Sequence, residues 1–261
     1  MEYRGAAGQL DRMPALAAEL VSLGVDVIVT TGMPAVLAAK HATSTIPIVT
    51  ANADNLVEAG LIASWARPGG NVTGSNRVDP DFSAKRLELL KETFPKLSRV
   101  AVLSHGSLGG DKEELTETLA GARTLGIQIQ SLQVQDPKNF IDAFAEITKR
   151  RADALIIFTS SFTSFHRSEL LELANKNRLP TICAQVLWID AGCLMSYGPN
   201  PTELYHRAAY FVDKILRGTK PADLPVERPR KYELIISLKT AKQIGLTIPP
   251  NMLARADKVI R

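Results

Sequence analysis

Hydroxyl, amide and imidazole side chains recur in this chain at one kind of place: just after short apolar runs. Thr31, Gly32 and Met33 follow the run that ends at Thr30. Asn52 and Asp54 follow Ile46–Thr50, and Asn76 follows Val72–Ser75. Ser104 and His105 follow Arg99–Leu103. Thr159 and Ser160 follow Ala154–Phe158, Gln185 follows Thr181–Ala184, and Tyr197 closes Leu194–Tyr197. The chemistry open to such a set is recognition. Thr31 and Gly32 offer a hydroxyl and an N–H to a carboxylate. Asp54 either accepts from an ammonium or caps a helix beginning near Leu56. Asn76 meets either a ligand or a linker, and Tyr197 lines a cleft. Trp188 stacks on a ligand or packs beneath it, packing being the favoured reading.

Catalysis fits the same residues poorly. His105 lies between Ser104 and Ser107, but adjacent residues seldom face each other. No third group orients the imidazole, and no G-x-S-x-G elbow occurs. His41, His166 and His206 stand alone on helical patterns, so no metal spacing arises. Gly109-Gly110-Asp111 lacks the Lys-Ser/Thr of a phosphate loop. The sequence therefore implies no cofactor, no metal and no enzyme.

Composition narrows the classes further. The 261 residues are 45% hydrophobic and carry a formal charge of +4, ample for a globular core. The densest basic cluster, Arg228-Pro229-Arg230-Lys231, has no interleaved aromatics and reads as a solvated loop, not a nucleic-acid surface. The 2 cysteines, Cys183 and Cys193, are too few for a disulfide framework or a four-ligand zinc site. Free buried thiols are the default reading, with a bridge left open.

The elements that must position these residues alternate. Strands are expected at Asp26–Thr30, Ile46–Thr50, Val72–Ser75, Arg99–Ser104, Gln128–Val134, Ala154–Phe158, Thr181–Ala184 and Leu194–Tyr197. Helices are expected near Asp11–Leu23, Pro34–Ala42, Leu56–Ala66, Phe82–Phe94, Asp111–Leu125, Pro137–Arg150, Ser164–Asn177 and Pro201–Arg217. Ile248 to Arg261 reads as a turn and a short amphipathic helix. Apolar runs such as Ala154–Phe158 suit strands covered on both faces. Helix–strand alternation predicts α/β architecture with parallel sheets and right-handed crossovers. A boundary near Asn76–Asp81 and a return near Asn200 divide the chain into two doubly wound lobes with a ligand cleft between them. Residues 1–77 with about 199–218 form lobe 1; residues 78–198 with about 219–261 form lobe 2.

Four segments carry a family resemblance: Arg67-Pro-Gly-Gly-Asn-Val-Thr-Gly74, Gly192-Cys-Leu-Met-Ser-Tyr-Gly198, Lys214–Pro225 and Lys239–Pro249. In their order and spacing the chain resembles the type I substrate-binding proteins of bacterial ABC transporters, in the branch that binds aromatic amino acids or related metabolites. The resemblance implies a leader, a first strand and a first helix ahead of the region that starts here. It thus implies a truncated lobe 1 with a gap beside Asp26–Thr30. It further implies a monomer that captures a small molecule by hinge closure, serves a membrane permease, binds no nucleic acid, and works in the periplasm or lipid-anchored at the cell surface. The rival expectation is a ligand-sensing module of a regulator or receptor with the same core, which would need a DNA-binding segment; no helix-turn-helix candidate precedes Asp11.

Overall fold

Consecutive residues of a strand point to opposite faces, and here both faces are apolar. In the computed structural model, which describes residues 1–53, 56–76, 81–106, 110–229 and 231–261, strand β4 (Arg99–Ser104) sends Val100 and Val102 into one buried cluster and Ala101 and Leu103 into another. Helices α3 (Asp81–Thr93) and α4 (Gly110–Leu125) cover the first face through Leu87, Leu90 and Ala122. Helices α5 (Phe140–Lys149) and α7 (Arg167–Lys176) cover the second through Phe140, Ile147, Leu170 and Ala174. A sheet wrapped in this way must be parallel for most of its width.

The chain divides into two compact units, residues 1–78 with 201–231 and residues 79–200 with 232–261. In the first unit, β1 (Ile28–Thr31), β2 (Ile48–Ala53) and β3 (Val72–Asn76) pair in that order, all parallel. Helices α1 (Met13–Ser22) and α2 (Met33–Ala42) precede and follow β1. On β2, Ile48 joins a cluster with Val36 and Ala39 of α2, whereas Val49 and Ala51 pack with Phe211 and Ile215 of α9 (Pro201–Leu216). Strand β1 is an edge, and Val29 on it is exposed.

The second unit holds seven strands in the order β10-β9-β8-β7-β6-β4-β5. These are β4, β5 (Gln128–Gln133), β6 (Ala154–Ile157), β7 (Thr181–Cys183), β8 (Met195–Pro199), β9 (Tyr232–Ser237) and β10 (Lys258–Ile260). Only β8 and β9 run antiparallel among the described strand pairs. Short helices α6 (Ser161–Phe165), α8 (Leu187–Asp190), α10 (Leu238–Gln243) and α11 (Pro250–Arg255) fill the connections.

Four expectations need correction. Leu56–Ala66 is not a helix. The chain makes one turn and stops, with Leu61 N–H donating to Leu56 O (2.9 Å), Gly60 N–H to Val57 O (2.9 Å), and Gly60 at φ +66°. That pair of bonds around a left-handed glycine is a helix terminator. The C-terminal region adds two strands, β9 and β10, to the expected turn and helix. Residues 219–231 group with the first unit, because Leu224 O accepts from Thr73 Oγ1 (2.7 Å), Val226 N–H donates to Trp65 O (2.8 Å), and Glu227 bridges to Ser75. Finally, Cys183 and Cys193 are not free thiols. They form a disulfide, Cα atoms 6.8 Å apart, between the end of β7 and the residues entering β8. No helix among the described residues is long and apolar enough to cross a membrane.

Candidate functional site

Each unit presents the carboxyl ends of its parallel strands as one rim, where open α/β sheets bind ligands. In the first unit the rim is Thr30–Gly32, Asn52 and Asn76, from three neighbouring strands: Thr31 pairs with Asn52, and Ala53 with Asn76. Gly32 takes φ +79° to turn from strand to helix, and no side chain caps α2. Its N–H is already engaged, donating to Asn52 O at 2.6 Å. The donor expected from Gly32 is thus consumed in holding two rim strands together. The amides with no intrahelical acceptor at this end are those of Met33 and Ala35, Pro34 having none. Met33 itself packs its side chain against the apolar cluster below.

Two polar atoms on this rim are buried and without a partner: Thr30 Oγ1 and Asn52 Oδ1. Strand parity explains Thr30. It lies on the buried side of β1 with Ile28, while Val29 and Thr31 are exposed. The threonine that sequence reasoning selects, Thr31, is therefore the solvent-facing one. Asn76 is buried, and its N–H donates to Glu227 O at 2.8 Å, so its backbone is tied to the segment that follows α9. Asp54, Ser107, Gly109 and Arg230 lie outside the described residues.

The second unit's rim brings together Ser104 and His105 after β4, Thr159 and Ser160 after β6, Gln185 after β7, and Tyr197 on β8. Ser104 is buried, and its carbonyl accepts from Val134 N–H (2.9 Å). His105 stacks on Phe162 of α6, ring centroids 4.5 Å apart. Phe162 in turn touches His166 at 4.9 Å. Burial pushes the His105 imidazole below its ordinary 6.5, against the pull of the Asp111 carboxylate. The ring is thus predominantly neutral at pH 7, a flat surface with one donor and one acceptor.

Thr159 is buried at the end of β6. Ser160 is a helix cap: its Oγ accepts from Thr163 N–H (3.1 Å), and its own N–H donates to Thr163 Oγ1 (2.8 Å). Gln185 is half-buried, and its carbonyl accepts from Trp188 N–H (3.1 Å). Trp188 is fully buried in the core beneath this rim, so it packs and offers no ligand-stacking face. Tyr197 meets Phe82 at 5.9 Å and Tyr232 at 6.2 Å. Sequence reasoning leaves out Phe82 and Tyr232, takes Phe162 as the one aromatic beside Thr159 and Ser160, and of the two threonines at the end of β1 selects Thr31 over Thr30. The period-2 parity of β1 is the available signal for Thr30. The rings are brought together only by the tertiary fold.

Neither rim holds a nucleophile–base–orienter set among the described residues, and no group of three His, Cys, Asp or Glu side chains there is placed to hold a metal ion. Taken by itself, the first unit's rim offers hydroxyls, amides and helix-terminal N–H groups, and the second unit's rim offers hydroxyls, an amide and ring surfaces, the kinds of group that bind small molecules.

The tyrosine-binding protein of Clostridioides difficile (strain R20291) is 25% identical over 248 residues, covering 94% of this chain and 70% of that protein. A conserved domain protein from Vibrio cholerae O1 biovar eltor superposes with a TM-score of 0.91 at 26% identity, covering 99% of this chain and 86% of that one. An ABC domain from Streptococcus pneumonia, solved in complex with L-Trp, shares the fold with a TM-score of 0.88 at 24% identity, over 96% of this chain and 84% of that one. The model of the ABC transporter substrate binding protein family matches residues 1–260, and the chain belongs to that family.

Proposed function

We propose that this protein captures a small amphipathic metabolite, with an aromatic amino acid as the first candidate, and hands it to the membrane permease of an ABC importer. The ligand class is carried by an observation within each unit: Thr30 Oγ1 and Asn52 Oδ1 are buried without a partner on the first unit's rim, and His105 stacks on Phe162 on the second unit's rim. An unpartnered buried polar atom costs about 1–3 kcal/mol. A ligand group that satisfies it recovers that energy only in the bound state. The similarity to a tyrosine-binding protein points the same way.

Capture proceeds by hinge closure. Contacts from both units form only in the closed arrangement, so the ligand shifts the open–closed equilibrium by its differential affinity for the two states. The protein acts as a monomer and turns nothing over. Its buried disulfide suits an oxidising compartment outside the cytoplasm, the usual working place of such proteins.

Isothermal titration calorimetry against L-tyrosine, L-tryptophan, L-phenylalanine and 4-hydroxybenzoate tests the ligand class. Saturable binding of at least one with a 1:1 stoichiometry is expected. Binding only of sugars or non-aromatic amino acids in a parallel thermal-shift screen would overturn the aromatic assignment.

A further inference from the structure

The chain passes from one unit to the other three times, at 78/79, 200/201 and 231/232. On the second unit's side, each passage has an aromatic ring within four residues: Phe82, Tyr197 and Tyr232. These rings meet. Phe82 lies 3.8 Å from Tyr232 and 5.9 Å from Tyr197, centroid to centroid, and the two tyrosines are 6.2 Å apart. The second and third passages are also zipped by backbone, since β8 and β9 pair from Met195↔Ile236 out to Pro199↔Tyr232. Asn200 Nδ2 donates to Glu233 Oε1 at 2.7 Å just beyond. The first passage enters helix α3, not a strand, and Phe82 is the ring that ties it to the other two.

The first unit's side has a polar counterpart built on Glu227. Its backbone pairs with the first passage, Glu227 N–H donating to Gly74 O (3.0 Å) and Glu227 O accepting from Asn76 N–H (2.8 Å). Its carboxylate takes both Nε (2.6 Å) and Nη2 of Arg207, six residues into the second passage's helix α9. Each unit therefore gathers all three of its connections at a single point, by rings in one case and by one glutamate in the other.

We propose that Phe82, Tyr197 and Tyr232 form an aromatic clasp that fixes the second unit's end of the hinge, so that the ligand-free protein samples a narrow set of arrangements, and that Phe82 and Tyr232 thereby act as positioning residues for ligand capture. The inference rests on the hinge-closure reading above. Rings are well suited to such a clasp, because flat, stiff side chains with two rotatable bonds pack at fixed distances at small entropic cost. Loosening the clasp spreads the free protein over more arrangements. The binding-competent fraction falls, and the apparent Kd rises by the inverse of that fraction.

The test uses the full chain carrying spin labels on Ser22→Cys and Lys149→Cys, one exposed helical position in each unit, with the native cysteines held in their disulfide. Electron–electron double resonance reads the ligand-free distance distribution, and calorimetry reads the Kd for L-tyrosine. Phe82→Leu and Tyr232→Leu are expected to broaden the distribution and raise Kd about three- to tenfold, with Tyr232→Phe restoring both. Should the Leu variants fail to fold, Phe82→Met, which keeps the bulk and loses the ring, carries the same comparison. Distributions and affinities equal to wild type in the folded ring-less variants would overturn the clasp. If the unmodified protein binds none of L-tyrosine, L-tryptophan, L-phenylalanine and 4-hydroxybenzoate, the ligand reading fails, while the ligand-free distributions still decide the clasp.

Discussion

Asp153 and Ser98 are locked together at the amino-terminal end of the second unit's sheet: one carboxylate oxygen, Asp153 Oδ2, accepts from Ser98 N–H (2.8 Å) and from Ser98 Oγ (3.0 Å), and from the neighbouring Arg99 N–H (2.8 Å) as well. Burial alone would raise this carboxyl's pKa, but the hydrogen bonds outweigh it and hold the group below its ordinary 3.8. The bonds favour the charged form, so their stabilisation is present above the unfolded pKa and is lost as pH falls through the lower folded value. Asp153→Asn is therefore expected to melt below wild type at pH 7, with the gap closing as pH drops under about 3.8. Thermal melts stepped from pH 7 to pH 3 check this; a gap that stays constant across the series would show that charge is not its source.

Thr30→Val removes a buried hydroxyl that has no partner within the protein. Ligand-free stability is expected to hold or to rise by about 1 kcal/mol. Affinity for the aromatic amino acid is expected to fall about tenfold, equivalent to ~1.4 kcal/mol. Calorimetric titration beside a melting curve separates the two effects. A loss of stability with unchanged affinity would assign the hydroxyl to the fold instead of the ligand.

Gly74 runs at φ +129°, and a Cβ on it would stand 2.7 Å from Thr50 N and nearer still to Thr50 O. Both the conformation and the contact exclude any side chain. Gly74→Ala is expected to cost about 4 kcal/mol or more and to open the first unit selectively. Limited proteolysis, read by mass spectrometry, should place the new cuts within 1–76 and spare the second unit's β4–β7.

Removing the disulfide tests how far β7 and β8 depend on it. The bridged residues are 10 apart in sequence, and closing so short a loop is worth roughly 2–3 kcal/mol. The double variant Cys183→Ala/Cys193→Ala is expected to lower Tm by about 5–10 °C, and non-reducing against reducing mass analysis of the wild type checks that the bond is present. An unchanged Tm would mean that the two sulfurs contribute packing alone.

Breaking the Arg207–Glu227 pair should loosen the first unit. The pair is about one-third exposed on the arginine side and one-quarter on the glutamate side, so solvent screens it in part. Arg207→Ala is expected to cost about 1 kcal/mol, or about 4 °C in the first unit's transition. Differential scanning calorimetry reads that transition; a second-unit transition that moves equally would contradict the local assignment.

Much of the fold is legible in the sequence because buried strands in this architecture are uniformly apolar and their stops are marked. Arg99–Ser104 emerges with the bounds expected of it, and the helices at Pro201 and Phe82 begin within a residue or two of theirs. Leu56–Ala66 misleads because an apolar, Ala-containing stretch carries helical periodicity, whereas the terminator depends on one glycine's φ sign. Strands β9 and β10 are less visible: β10 is three residues long, and β9 is separated from its antiparallel partner β8 by the whole of α9 and the residues after it. At the site, sequence spacing locates the rims, but which hydroxyl turns inward is a matter of parity, as Thr30 against Thr31 illustrates. Whether an N–H is still available is a matter of cross-strand pairing, as with Gly32.

Strand β9 takes its place beside β8, one strand in from the edge of the second unit's sheet, only after the chain has gone through α9 and the residues up to Lys231. During synthesis, β4 to β8 are therefore finished while one flank of β8 still lacks its neighbour. The ribosome must then emit about thirty residues that belong elsewhere before that flank is closed. Pairing over so long a separation is slow, and in the interval β8 is a naked margin open to adhesion by other nascent chains. A folding helper that shields it at that moment is expected to raise the yield of soluble protein.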